Sequence, residues 1–463
     1  MQKIFNEVSS LDKRCYEELG LSEDLLMEHA SLAMYEYINK HFDISSTILI
    51  VCGMGNNGAD GIALSRLLFN KYDVKLYIPF GVKSQMAKLQ LKRVELLGVN
   101  ITSEIINCDI IVDALFGSGL NKDLNKQSQE IINTLNSIKA YKIACDIPSG
   151  VNNIGQITTC AYEADTTITM GALKTSLFSD IAKDYVGEIE VANLGVQREV
   201  YETNTNKYLL DKEDLKLPHR NKKNSHKGSY GHLNVVAGSK VGAGIIASKA
   251  AFGFGAGIVS VLANEKLDLP YHIMQTNSLS KNCTAIAIGM GLGEYKKAWA
   301  RDILSTNVPK IVDADLFYDE LLLDFLDEDI VLTPHPKEFC AFLKLCDIAD
   351  ISINELQNNR FKYVEKFCSK YPKVVLLLKG TNVIISQGEN LYINTFGSAV
   401  LSKGGSGDVL SGLVGSLLAQ GYKPIDAGIN ASLAHALAAA NYKKNDFSLI
   451  PSDLIEEVRR LCI

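Results

Sequence analysis

The chain has 463 residues, 47% hydrophobic and 22% charged, the composition of a soluble globular protein two to three domain-lengths long. Its formal net charge of −6 leaves no electrostatic footprint for nucleic acid or an anionic membrane, so small-molecule partners are expected and a homo-oligomer stays open. The ten cysteines include no CxxC pair. The nearest two, Cys340 and Cys346, match neither zinc spacing nor a disulfide framework, and reduced thiols in a cytoplasmic protein are expected.

The opening residues, MQKIFNEVSSLDKRCYEELG, are charged and lack an apolar h-region, so no signal peptide is expected. LSEDLLMEHASLAMYEYINK predicts a helix with Ser22 as its N-cap. TILIVCG (47–53) predicts a buried strand, because apolar residues fill nearly every position. A glycine-rich turn and a helix over ALSRLLFNKY follow. Further strands are expected at VKLYIPF, DIIVDALFG, YKIACDIPSG and TTITMG. Strands separated by helix-length segments predict right-handed βαβ crossovers and a mostly parallel sheet, hence an α/β, Rossmann-like domain over 1–210.

Apolar periodicity lapses over 197–231, which places a domain boundary near 210. The basic run HRNKKNSHK (219–227) reads as a solvated linker. A second α/β series occupies 211–463, with strands expected at HLNVVAG, IVSVLA, TAIAIGMG, KIVDAD, DIVLTPH, VVLLLKG, NVIISQ and LYINTF. The longest charge-free apolar run, 250–263, is too short and too glycine-rich to span a bilayer.

Unusual residues gather where these strands should end, the place where open α/β sheets bind ligands. In the first domain, VCGMGNNGADG brings the amides of Asn56 and Asn57 and the carboxylate of Asp60 to a glycine turn. DALFGSGL follows Asp113 with glycines whose amides could hold a phosphate. CDIPSGV puts Asp146 at a strand end and could aim an oxygen of Ser149 at a small cation. Three carboxylates so placed suggest a dinucleotide cleft with an acid/base group and a hard cation on oxygen ligands. Cys145 has no histidine nearby in sequence and reads as a packed thiol.

In the second domain, Asp313 and Asp315, His335 and Glu338, and Lys379 stand at strand ends, and GGSGD (404–408) opens an apolar helix. The first helical N–H groups lack partners and carry the positive end of the helix dipole, and glycines let an anion approach them. Asp408 reads either as an N-cap or as a carboxylate that takes a hydroxyl proton beside that anion hole. The loop is not a P-loop, since GxxxxGK[ST] is absent. His226 and Lys227 read equally as surface or functional residues.

GGSGDVLSGLVGSLLAQG resembles the signature of ribokinase-type small-molecule kinases. HKGSYGHLNVVAGS, GMGLG, VDAD, LTPHPKEF, LKG and GGSGD, in that order over about 222–442, resemble a narrower family, the ADP- or ATP-dependent NAD(P)H-hydrate dehydratases. Residues 1–205 resemble the NAD(P)H-hydrate epimerase domain. The resemblance implies a ribokinase-like α/β fold for 211–463. It also implies a bifunctional enzyme that epimerises hydrated NAD(P)H and dehydrates the S form with ADP, releasing AMP and phosphate.

For the epimerase it implies substrate contacts from Asn56, Asn57, Gly58, Ala59 and Asp60. A second set would come from Gly117, Ser118, Gly119, Leu120, Asn121, Lys122 and Asp123. Asp146 would be the acid/base, and a potassium ion (K+) would sit on Asn57, Asp113 and Ser149. For the dehydratase it implies Asp408 as base and a phosphate cradle of Gly404, Gly405, Ser406 and Gly407. Lys379, Gly380, Thr381, Asn382 and Val383 would hold the nucleotide, and Ala243, Gly291 and His335 the hydrate. A magnesium ion (Mg2+) is expected to bridge the ADP phosphates. Ala59 stands where the family usually has a second glycine, Met290 where a proline is common, and Ser402-Lys403 where Ala-Thr is usual. The alternative is a small-molecule kinase joined to a dinucleotide-binding domain.

Overall fold

Strands form where aliphatic and β-branched residues fill consecutive positions; Thr166–Met170 and Ile110–Ala114, for example, are buried along their whole length. The computed structural model describes residues 1–462. The chain divides into Lys3–Thr205 and a second unit running from Asn206 onward together with Met1–Gln2.

In the first unit seven strands form a wholly parallel sheet. Their order is Ile101–Thr102, Asp73–Tyr77, Thr47–Cys52, Ile110–Ala114, Tyr141–Cys145, Thr166–Met170 and Glu188–Ala192. The chain winds outward from Thr47–Cys52, then returns to pair Ile110–Ala114 against that strand's other side. This reversal opens a crevice at the carboxyl ends of the two strands. Helix Glu23–His41 is capped as expected, with Leu25 N donating to Ser22 Oγ at 3.2 Å.

The helix expected over ALSRLLFNKY instead spans Asn56–Leu68 and takes in the glycine run. The glycines serve close packing: a Cβ on Gly58 would lie 1.9 Å from the Gly53 carbonyl oxygen, and one on Gly61 would lie 2.7 Å from Ala114 Cβ and Cys52 Sγ. Ala59 is fully buried in the core between them, so its methyl group fits this helix start.

In the second unit the strand order is Met274–Thr276, Ile258–Leu262, His232–Val236, Ala285–Ile288, Lys310–Val312, Ile330–Leu332, Val375–Leu378, Val383–Gln387, Asn390–Asn394 and Lys207–Leu209. All neighbours run parallel except in the meander from Val375 to Asn394. Lys207–Leu209 pairs with Asn390–Asn394, so the three residues before the expected boundary belong to this unit's sheet.

Helix Ser406–Ala419 is buried from Val409 to Ala419 and packs on Val241–Gly253. A Cβ on Gly412 would lie 2.2 Å from Ala247 O, so the two helices approach at backbone distance. The run 250–263 divides between the helix Val241–Gly253 and the strand Ile258–Leu262. Among the described residues no helix is long and apolar enough to cross a membrane.

Candidate active sites

Asp146 follows the strand Tyr141–Cys145 and holds a left-handed backbone, φ 69°. A non-glycine residue there is strained and is held by its surroundings. Its amide donates to Ile168 O at 2.8 Å. Its Oδ1 accepts from Lys174 Nζ at 2.6 Å and from Met170 N at 3.2 Å, with Thr169 Oγ1 at 3.5 Å. Lys174 is 1% exposed, and its ammonium also donates to Thr169 Oγ1 at 2.7 Å and Met170 O at 3.2 Å.

Two further carboxyl groups face this pair. Burial, followed by the charge of Asp146, pushes Asp60 well above the usual carboxylate range. Burial also raises Asp12, although Tyr201 OH donates to its Oδ1 at 2.7 Å. Asp60 was expected from the sequence; Lys174, Asp12 and Tyr201 were not. The one signal was Lys174 standing alone in the apolar run TTITMGALK.

Asp113 ends the neighbouring strand and is fully buried. Its Oδ1 accepts from Ser149 Oγ at 2.7 Å and Leu115 N at 3.1 Å, and its Oδ2 from Ser149 N at 2.8 Å. Burial pushes its pKa up to about 6 against these bonds. Both polar side-chain atoms of Asn57 are buried without a hydrogen-bond partner, and the amide packs where a Cβ on Gly117 would lie 3.2 Å away. An unsatisfied buried amide is costly. An orphaned amide oxygen, a carboxylate and a hydroxyl are oxygen donors of the kind hard cations take.

Gly117 and Ser118 are half-buried in the loop beyond Asp113, with a turn closed by Leu120 N to Gly117 O at 3.2 Å. Gly119, Asn121, Lys122 and Asp123 are exposed. The N-terminus of helix Asn56–Leu68 has Gly55 at its N-cap and no capping side chain. Its first amides are therefore open to an anion.

In the second unit Asp408 lies in the first turn of helix Ser406–Ala419. The N-cap is Gly405, at φ 92°, and no side chain caps the helix. The capping alternative for Asp408 therefore does not hold, and its carboxylate makes no hydrogen bond among the described residues. Burial and the charge of Asp313 push its pKa up to about 6, against the pull of Lys379. Lys379 Nζ lies 2.9 Å from Asp313 Oδ1 and 4.0 Å from Glu338 Oε2. Asp313 Oδ2 accepts from Ser411 Oγ at 2.7 Å. The sequence-assigned nucleotide ligand Lys379 thus sits among the carboxylates.

His335 caps the helix Pro336–Leu345: its Nδ1 accepts from Lys337 N and Glu338 N, at 3.1 and 3.3 Å. The ring proton therefore resides on Nε2, which lies 3.1 Å from Glu338 Oε1. Burial lowers the His335 pKa and raises that of Glu338 to about 7. His435, buried and with its pKa lowered by that burial to about 4, donates from Nε2 to Ser406 O at 2.9 Å and fixes the glycine loop.

Gly380, Thr381 and Asn382 form the turn before the strand Val383–Gln387. Arg360, 3% exposed, donates to the carbonyls of Leu378, Lys379 and Asn382 at 3.0–3.2 Å and pins that turn. Arg360, Ser411 and His435 carried no signal in the sequence, and Asp313 was noted only as a strand end.

Gly291, at φ 61°, and Ala243 adjoin: a Cβ on Gly291 would lie 3.1 Å from Ala243 Cβ. Lys240 N donates to Gly291 O at 3.0 Å, locking the two glycine turns together. A cavity of about 850 Å³ flanks them, lined by Ser239, Val241, Leu292, Tyr295 and Trp299 among others. The structure thus groups Ala243 with Gly291, and His335 with Glu338. Among the described residues no group of three or more His, Cys, Asp or Glu side chains is placed to hold a metal ion.

The family described as NAD(P)H-hydrate dehydratase matches residues 233–460, and that described as YjeF-related protein N-terminus matches 23–176. The Bifunctional NAD(P)H-hydrate repair enzyme Nnr of Helicobacter pylori is 42% identical over 474 residues, covering 100% of both chains. The Escherichia coli protein of the same name is 30% identical, covering 92% of this chain and 87% of its own. Among solved structures, the ADP/ATP-dependent NAD(P)H-hydrate dehydratase from Bacillus subtilis, co-crystallised with ATP/Mg2+, is 26% identical. It covers 56% of this chain and 98% of that one, with a TM-score of 0.48.

Proposed function

The chain belongs to the bifunctional NAD(P)H-hydrate repair family, and from that premise we propose how its own residues divide the two reactions. The first unit epimerises the hydrated nicotinamide at C6. C6 is a carbinolamine carbon: removing the hydroxyl proton lets the C6–N1 bond open to an aldehyde while N1 takes a proton. Closure on the opposite face reverses both transfers. Asp146 carries the hydroxyl proton. The open amides of helix Asn56–Leu68 and the Gly117–Asp123 loop hold the substrate's phosphates. Asn57, Asp113 and Ser149 would hold potassium, which would supply charge to balance Asp113 and the pyrophosphate.

The second unit dehydrates the S hydrate. Hydroxide leaves poorly, so the β-phosphoryl of ADP is transferred to the C6 oxygen as Asp408 takes its proton, and AMP departs. The N1 lone pair then expels phosphate, and loss of a C5 proton from the iminium restores the dihydropyridine. The amides of Gly404, Gly405, Ser406 and Gly407 stabilise charge on the transferring phosphoryl. Magnesium bound with ADP would neutralise phosphate charge. Lys379 to Val383 would hold the nucleotide, and Ala243, Gly291 and His335 the hydrate.

The observation that carries this reading is Asp408, a carboxylate without a hydrogen bond at an uncapped helix N-terminus. The kinase alternative is not favoured, because the match to bifunctional repair enzymes spans the full chain. Free cysteines fit a reducing, cytoplasmic setting. The test is to supply R and S hydrates of NADH and NADPH with ADP or ATP. Recovery of the dihydronicotinamide absorbance, with AMP and phosphate released from ADP, is expected. A stable phosphorylated product, or no recovery, overturns the reading.

A further inference from the structure

The buried lysine beside Asp146 has no part in the chemistry above. A lysine ammonium has three donors, and all three of Lys174 are engaged, by Asp146 Oδ1, Thr169 Oγ1 and Met170 O at 2.6, 2.7 and 3.2 Å. With no donor left over, Lys174 is poorly placed to shuttle protons. The backbone is built to bring it there. Gly171, at φ 72°, turns the chain back after the strand Thr166–Met170, and a Cβ on it would lie 2.5 Å from the Tyr201 ring. Leu173–Lys174 then pairs in parallel with Ile4 and Phe5, which fixes the lysine's register.

The bonds to Asp146 are one-sided. Lys174, Met170 N and Thr169 all address Oδ1, while Oδ2 has no hydrogen-bond partner among the described residues. Several acidic groups face the pair: Asp60 from helix Asn56–Leu68, Asp12 from helix Ser9–Glu18, the Tyr201 phenol, the Cys145 thiol, and Asp113 and Glu23 farther out.

We propose that Lys174 is a positioning residue of the epimerase: it binds one oxygen of Asp146, fixes the orientation of that carboxylate, and leaves the other oxygen to meet the substrate hydroxyl. The inference rests on the assignment of Asp146 as proton carrier.

The experiment measures kcat and KM for conversion of R hydrate in the full chain, for the unaltered protein, Lys174→Met and Asp146→Asn. Circular dichroism and thermal melting of the same preparations report folding. Lys174→Met is expected to lower epimerase kcat by about 100-fold with KM unchanged. An unchanged kcat, or a loss carried by KM instead, overturns the proposal by reducing Lys174 to a structural ion pair. If Lys174→Met does not fold, Thr169→Val, which removes one acceptor of the same ammonium, takes its place. A several-fold fall in kcat with KM unchanged is then expected, and an unchanged kcat overturns the proposal. Asp146→Asn that keeps epimerase activity defeats the assignment of Asp146 itself, whatever Lys174→Met does.

Discussion

The two sites use the same materials differently. Each sets a lysine, buried at Lys174 and half-buried at Lys379, and a carboxylate near the carboxyl ends of parallel strands. In the first unit Lys174 binds Asp146 directly at 2.6 Å. In the second, Lys379 is bound by Asp313 at 2.9 Å, and Asp408 stands without a hydrogen bond, its pKa pushed up to about 6. In the proposed roles, a base that takes the hydrate's proton and returns it gains from being held in one orientation. A base beside a proposed phosphate cradle would need only to be ionised when the phosphoryl group arrives, because the helix N-terminus would supply the fixed electrostatics.

The sharpest way to break this comparison is to remove each carboxylate and read both activities. Asp408→Asn is expected to lower S-hydrate dehydration by about 1,000-fold or more while R/S interconversion continues, followed by separating the epimers chromatographically. Asp146→Asn should cut R-hydrate conversion by about 100-fold with S-hydrate repair intact. If either variant removes both activities equally, the sites are not independent.

Next in size is the pH dependence of the dehydratase. A raised carboxylate loses its basic form as pH falls through its pKa. The dehydratase rate should therefore decline below about pH 6, roughly tenfold per unit. A pH–rate profile of kcat with saturating ADP checks this.

The smallest effect expected is that of the cation. Exchanging potassium for lithium should raise the epimerase KM by a few-fold and leave S-hydrate turnover unchanged, because only the first site has the orphaned Asn57 amide. Asn57→Ala should remove that ion dependence, as read by activity and by the potassium-induced shift in melting temperature.

Much of both sites was legible because strand ends and glycine turns are local features. TILIVCG, DIIVDALFG and YKIACDIPSG each placed a carboxylate or an amide at the correct edge. The glycine turns at 53–55, 289–293 and 404–405 were visible for the same reason. Other features were not visible. Leu173–Lys174, Ile101–Thr102 and Lys207–Leu209 are too short to show a period-2 pattern, and they become strands only because a neighbouring strand pairs with them. Helix Asn56–Leu68 begins inside a glycine run that reads as a loop. Tertiary packing overrode propensity there, since a side chain at Gly58 or Gly61 would collide with the sheet.

Sequence alone determined the α/β alternation, the parallel sheets, the placement of Asp113, Asp146 and Asp408 at element ends, and the family resemblance. These follow from residue periodicity and from turn chemistry within a few positions. Tertiary structure alone decided which polar group meets which: Lys174 with Asp146, Lys379 with Asp313, Ser411 with Asp313, His435 with the glycine loop. Partners of these kinds are brought together by strand register and crossover connections. A side chain's protonation depends on burial and on charges a few ångströms away, so the chemistry of each carboxylate was set only when the sheets closed around it.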